Sequence, residues 1–230
     1  MPGYAWHITH RCHKQEFLLK FNRDKKQWIY WLNEAKNRYQ LKILNYIVTS
    51  NHIHLLIVDD IKGAIARSLQ LIEGRVGQEY NLRKKREGAF WSDRYHATII
   101  DTDNYLQECM MYIDLNMVRA GVVSHPKEWV YSGFYELHCK QRGSNIIDEK
   151  LLVSYLGFSQ LKTFKKEYPN WINQAIQQGQ LQREVYWAES IAVGKELFLE
   201  TVKEKLGIRG KNRKVDQIEN GNVLHEPYNI

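Results

Sequence analysis

The chain has little of what would mark it as secreted, disulfide-stapled or membrane-bound. Its three cysteines, Cys12, Cys109 and Cys139, are scattered with no C-x-x-C pair. That argues against a disulfide framework or a zinc knuckle and fits a reducing compartment. No apolar run approaches the ~20 residues that cross a bilayer. The stretch from Met1 to His7 lacks a charged start followed by an apolar core, so no secretory leader is expected. No internal repeat is evident. Acids are in the minority, 26 Asp and Glu against 33 Lys and Arg, for a net charge of +7. That excess favours a polyanionic partner. What the chain does have is aromatic surface, with 7 Trp and 14 Tyr in a sequence that is 43% hydrophobic. That supports a real core and offers stacking platforms, which puts nucleic acid first among polyanions. A cytoplasmic protein with no membrane partner is expected.

Periodicity then orders the first 140 residues. Trp6 to Cys12 reads as a strand with Ile8 inward and His7 and Thr9 on the other face. Asn22-Arg23-Asp24 starts a helix that carries Trp28, Trp31, Leu32 and Ala35 at helical spacing. Leu41–Val48 and Asn51–Val58, joined by Thr49-Ser50-Asn51, read as a β-hairpin. A long helix follows over 64–82, then a basic loop at Arg83-Lys84-Lys85-Arg86, a strand over 90–100, and a helix capped by Asp101-Thr102-Asp103 that ends near Gly121. The order β-α-β-β-α-β-α predicts an α+β fold, a ferredoxin-like antiparallel sheet with helices on one face and the other face open to hold a site. From about residue 145 the pattern turns helical, including a terminal helix over 189–206. The expected organisation is a catalytic domain at 1–143, a helical accessory region at 144–210 and a flexible tail at 211–230.

The most informative residues are His52 and His54. Spaced i and i+2 on a strand, they point to one face, while Ile53, Leu55 and Ile57 supply the opposite apolar face. On the later helix, Tyr112 and Asn116 are i and i+4 and share a face. There Leu106, Met110, Ile113 and Met117 form an apolar stripe, with Tyr105, Cys109, Tyr112 and Asn116 flanking it. The bland alternative is a core-edge tyrosine with a wet hydroxyl, a helix-end amide and two exposed strand histidines. Two imidazoles, an amide and a phenol also make a metal-assisted phosphoryl-transfer centre with a tyrosine nucleophile. Imidazoles with a neutral oxygen suit Mn²⁺ or other transition ions, and Mg²⁺ when phosphate oxygens and waters complete the shell. His10, Cys12 and His13 straddle both strand faces with no fourth ligand, so surface or turn positions are expected for them. Residues 62–96 hold eight Lys and Arg against four acids. A charge run is usually a solvated face, but this one precedes the site and suits phosphate contacts.

Three segments in order carry a resemblance: Ser50–Ile57, Phe90–Ala97 and Tyr112–Gly121. They resemble the IS200-like single-tyrosine transposases of the HUH superfamily, with the closest likeness to the REP-associated tyrosine transposase branch. The likeness spans about residues 4–140, and 182–207 resembles that branch's C-terminal segment. It implies His52, His54 and Asn116 as ligands of a divalent ion, Mg²⁺ or Mn²⁺, and Tyr112 as nucleophile. It implies cleavage of single-stranded DNA near a hairpin, through a 5′-phosphotyrosine with a free 3′-hydroxyl, in a nucleoid-associated protein. Arg83, Lys84, Lys85, Arg86, Arg94 and Arg119 are the expected DNA contacts, and a monomer is preferred over a dimer. Met117 stands where the family usually has proline, and Cys12-His13 where it has Gly-Asn, which bears on local geometry more than on chemistry. The alternatives are a non-catalytic hairpin-DNA regulator that keeps the fold and an RNA-binding ferredoxin-like module.

Overall fold

The computed structural model describes residues 3–102, 104–140, 146–211, 213–218 and 221–225. Its elements run β1 (Tyr4–Arg11), α1 (Asn22–Tyr39), β2 (Lys42–Val48), β3 (His52–Asp59), α2 (Ala64–Lys84), β4 (His96–Ile100), α3 (Asn104–Asp114) and α4 (Asn116–Arg119). They continue with α5 (Gly133–His138), α6 (Glu149–Tyr155), α7 (Leu161–Gln177), α8 (Tyr186–Glu189), β5 (Ser190–Gly194), α9 (Glu196–Leu206), α10 (Ile208–Lys211), β6 (Val215–Ile218) and β7 (Gly221–His225). The sheet order is β2-β3-β1-β4-β5-β7-β6. Its first four strands are antiparallel neighbours in the ferredoxin-like order, so the fold is α+β as expected.

The expectation of helices on one face needs correction. α2 lies on the face of Ile8 and His10, where Glu73 reaches the His10 ring at 3.0 Å. α3 lies on the opposite face, where the Tyr112 ring meets His54 at 5.8 Å between centroids. The face predicted to be open is therefore covered by the helix that carries the candidate nucleophile. α3 has its own apolar seam, with Leu106, Met110 and Ile113 all fully buried, and such a seam must find a sheet or helix to cover it. Trp28 and Leu32 of α1 and Leu69 and Ile72 of α2 bury the other face, over Ile8, Leu55 and Ile57.

Several local expectations differ from the structure. The strand expected over 90–100 is shortened to His96–Ile100, because Trp91 instead bridges to Cys12 and stacks on His10 at 4.4 Å. The expected helix over 189–206 begins with β5, whose Ile191-Ala192-Val193 run pairs in parallel with β4. Two β-branched residues, Ile191 and Val193, beside an open sheet edge are satisfied better as strand than as helix. The stretch expected to be a loose tail contains β6 and β7, which pair with each other and with β5, and Val223 and Leu224 are fully buried. Asp103, expected as part of a helix cap, lies outside the described residues. The later region shares the main core, since Phe164, Tyr168 and Ile172 of α7 are buried in the same cluster as α3. His10 and Cys12, expected at the surface or in a turn, are buried. Their strand pairs on both edges, and His10 is held by Glu73 and by the Asp93 carbonyl at 2.7 Å.

Candidate active site

Strand register brings the site together. Thr9 pairs with His54 and Arg11 with His52, and directly paired residues share a face. Tyr112 and Asn116 arrive from the covering helix. The residues around them line a cleft of about 430 Å³ that includes Thr9, Arg11, His52, His54, Arg119 and Arg183.

A chain of hydrogen bonds sets the two imidazoles. His7, fully buried, donates from Nδ1 to the Trp187 carbonyl at 2.7 Å. A carbonyl only accepts, so Nδ1 carries the proton. Burial holds the His7 pKa down to about 4, so the ring is neutral and its Nε2 is an acceptor. That nitrogen sits 2.9 Å from His54 Nδ1, which must therefore donate. Burial, followed by the neighbouring His52 and His7, keeps the His54 pKa well below its ordinary value, so its Nε2 presents a lone pair. Asn116 Nδ2 lies 3.1 Å from it. His52 is fixed similarly: its Nδ1 donates to Asn51 Oδ1 at 2.7 Å, and burial, then Arg11, holds its pKa down to about 4. A ring whose far nitrogen is tied in this way offers the other as a ligand, the arrangement common behind metal-bound histidines.

The residues fit a divalent ion. Two neutral imidazole nitrogens and one amide, whose oxygen faces the same point after a simple flip, make an open three-donor set with room for water or phosphate. Among the described residues no group of three or more His, Cys, Asp or Glu side chains forms an alternative cage.

The tyrosine helix is interrupted at Leu115, between α3 and α4. Arg119, one turn on, donates to the Tyr112 carbonyl at 3.2 Å and lays its guanidinium 4.4 Å from the Tyr112 ring centroid. A cation there complements the exposed carbonyl end of α3. Gly121, at φ 67, takes the left-handed ending that its place in the sequence predicts. Met117, at the position where proline is usual, is simply buried. Burial pushes the Tyr112 phenol above its ordinary pKa, and Arg119 and Arg183 pull it back only in part. Burial thus favours the neutral phenol.

Of the residues singled out in the sequence, His52, His54, Tyr112, Asn116 and Arg119 converge on this cleft. Arg83, Lys84, Lys85 and Arg86 do not: they form the end of α2 and the turn after it. Arg94 is exposed and outside the lining. Sequence reasoning missed Arg11, Arg183 and the His7–Trp187 support. The alternation of β1 already put His7 and Thr9 on one face, but only the register shows that this face is the histidine face.

The family description "Transposase IS200 like" matches residues 2–116, half of the chain. The chain belongs to the IS200-like transposase family. This makes it an enzyme of the transposase kind, whose partner is DNA. No curated protein matches it significantly. Among solved structures the transposase is similar to a REP-associated tyrosine transposase bound to a REP hairpin. The identity is 18% and the TM-score 0.47, over 59% of this chain and 79% of that one. It is also similar to a protein from Deinococcus radiodurans R1 described as a candidate transposase. There the identity is 9% and the TM-score 0.37, over 53% of this chain and 92% of that one. Both likenesses are too distant to add to the family match. Among the described residues, no helix is long and apolar enough to cross a membrane.

Proposed function

We propose that this transposase nicks and rejoins single-stranded DNA beside a hairpin, using Tyr112 as nucleophile and a divalent ion, Mg²⁺ or Mn²⁺, on His52, His54 and Asn116. The observation that supports this most is the convergence of those four side chains, from a strand and a covering helix, on one cleft rimmed by Arg11, Arg119 and Arg183. When bound, the ion supplies positive charge at the phosphate and assists loss of the phenol proton. The protein's own groups do the rest. The three arginines hold the phosphate oxygens, as guanidinium forks suit. His7 and Asn51 keep the two imidazoles oriented. Arg119 fixes the Tyr112 ring.

Tyr112 Oη attacks phosphorus, the bond from phosphorus to the 3′ oxygen breaks, and the phenol proton ends on that oxygen as a 3′-hydroxyl. The 5′-phosphate stays on Tyr112. A phosphotyrosine ester is close in energy to a phosphodiester, so a 3′-hydroxyl can reverse the step and join strands.

Incubation with single-stranded hairpin DNA and Mn²⁺ or Mg²⁺ should give a DNA-linked protein band. Tyr112→Phe should give none while binding the hairpin nearly as well. An adduct that persists in Tyr112→Phe would show that the nucleophile lies elsewhere. Hairpin binding without any adduct in the wild type would favour the regulator reading. The basic segment Arg83 to Arg86 and Arg94 are proposed as DNA contacts outside the cleft.

A further inference from the structure

A second surface next to the cleft has the composition of a base-stacking platform. Phe17 is 65% exposed and Phe21 55% exposed, although both sit in a tightly held segment. Leu18 and Leu19 between them are buried. Leu19 N–H donates to the Ser50 carbonyl at 2.9 Å, and the Lys25 ammonium donates to the Lys20 carbonyl at 2.6 Å. The rings are thus presented on fixed backbone rather than left over at a frayed end.

Cations surround them. The Lys84 ammonium lies 5.1 Å from the Phe21 ring centroid, and Lys14, Lys20, Arg23 and Lys85 are exposed nearby along the same segments. Two acids within the patch are engaged, Glu16 by Arg86 at 3.5 Å and Asp24 by Arg83. Half-buried Glu79 lines the same groove as Arg23 and Arg83, and Glu87, beyond the turn, is exposed. The patch is continuous with the cleft: Gln15 lines it, the Asn51 amide bonds the Gln15 carbonyl at 3.3 Å, and Phe17 follows two residues later.

We infer that Phe17 and Phe21, with the basic end of α2, take the single-stranded flank of the DNA whose phosphate occupies the cleft, with bases stacking on the two rings. This rests on the proposed single-strand reading and adds the residues that hold the strand beyond the nick. Alternating rings and cations suit single-stranded nucleic acid because every base has a face to stack while its backbone needs countercharge. A buried apolar partner would instead leave the interleaved ammonium groups desolvated.

The test is fluorescence anisotropy with oligo(dT) of about 5 and about 16 nucleotides, bracketing the site sizes usual for such surfaces. The protein is Tyr112→Phe throughout, so that covalent capture does not contribute. The longer oligonucleotide should bind more tightly. Phe17→Ala with Phe21→Ala should weaken it about tenfold or more, with the shorter one unaffected. Phe→Trp at both positions should keep the affinity, and Phe→Leu should not, which separates stacking from apolar burial. Lys84→Gln with Lys85→Gln should lower the salt slope by about 1.4 for two charges on a single strand. Equal affinity of the double-alanine variant for the longer probe overturns the inference, as does a change of oligomeric state on substitution, which would assign the patch to a second copy of the chain. Absence of binding to either oligonucleotide would instead remove the single-strand reading itself, whereas short-probe binding with no length gain removes only the flank surface.

Discussion

His54 and Leu55 are neighbours in one strand, yet they belong to different proteins in effect. Leu55 points down into the core under α1 and α2, where it is fully buried among Ile8, Ile43 and Ile57. His54 points up, beneath α3, into a face of imidazoles, hydroxyls and guanidinium groups. Both faces of the sheet are covered, and both side chains are almost fully hidden. The difference is that one face is filled by shape and the other by hydrogen bonds that settle which nitrogen of each ring carries its proton. Burial alone therefore does not separate structure from chemistry here. The pattern of satisfied polar atoms does.

Substitutions on the two faces should come apart. His54→Ala or His52→Ala should abolish nicking at ordinary metal concentrations in a gel assay, with far-UV circular dichroism close to wild type, and chelation should do the same to the wild type. Cleavage that survives a chelator would mean that the polar face works without a metal. Leu55→Ala should act in the opposite way. A cost of about 2–5 kcal/mol in urea unfolding is expected for a filled core site, with the folded fraction still able to form the Tyr112 adduct.

His7 tests whether the polar face works as a unit. Its ring meets the Tyr112 ring only edge-on, at 6.2 Å between centroids, and its hydrogen bond holds the His54 tautomer. His7→Ala should weaken Mn²⁺ binding, read by calorimetry or electron paramagnetic resonance, by about 10–100-fold as for other groups behind a ligand. Unchanged Mn²⁺ affinity would reduce His7 to a packing residue.

A smaller effect is expected at Asp114, which lies between Tyr112 and Asn116 in sequence but faces away from the cleft. It accepts hydrogen bonds from Tyr168 at 2.6 Å and Asn45 at 2.9 Å, tying the tyrosine helix to α7 and β2. Burial pushes its pKa up from 3.8 to about 7. The folded state thus holds this proton more tightly than the unfolded chain, so this group's contribution is greatest below about pH 4 and is lost as pH rises to about 7. Asp114→Asn should flatten that slope by an amount on the order of a few kcal/mol, seen as a thermal midpoint that no longer falls across the window. A slope equal to that of the wild type would place the titration elsewhere.

Much of this was legible in the residues. Alternation in β3 put His52 and His54 on one face, the four-residue spacing paired Tyr112 with Asn116, and the order of elements gave the ferredoxin-like core, because each depends on contacts between near neighbours in the chain. The strand content after residue 189 was not legible, since Ile191-Ala192-Val193 carries no alternation and becomes strand only against the edge of β4. Nor was the role of His7, whose two partners lie 47 and 180 positions away. Arg183 was hidden for the same reason, sitting in an irregular segment that only packing carries to the cleft.

By itself, the sequence determined which residue types could do phosphoryl chemistry and which of them would share a face, since the periods of strand and helix are local geometry. Only the tertiary structure decided that the helix covers the histidine face, that a carbonyl from the far end of the chain sets the protons on two rings, and that three arginines surround one phenol. Those outcomes depend on register and docking, where contacts distant in the chain compete for the same buried space, and no local pattern encodes the winner.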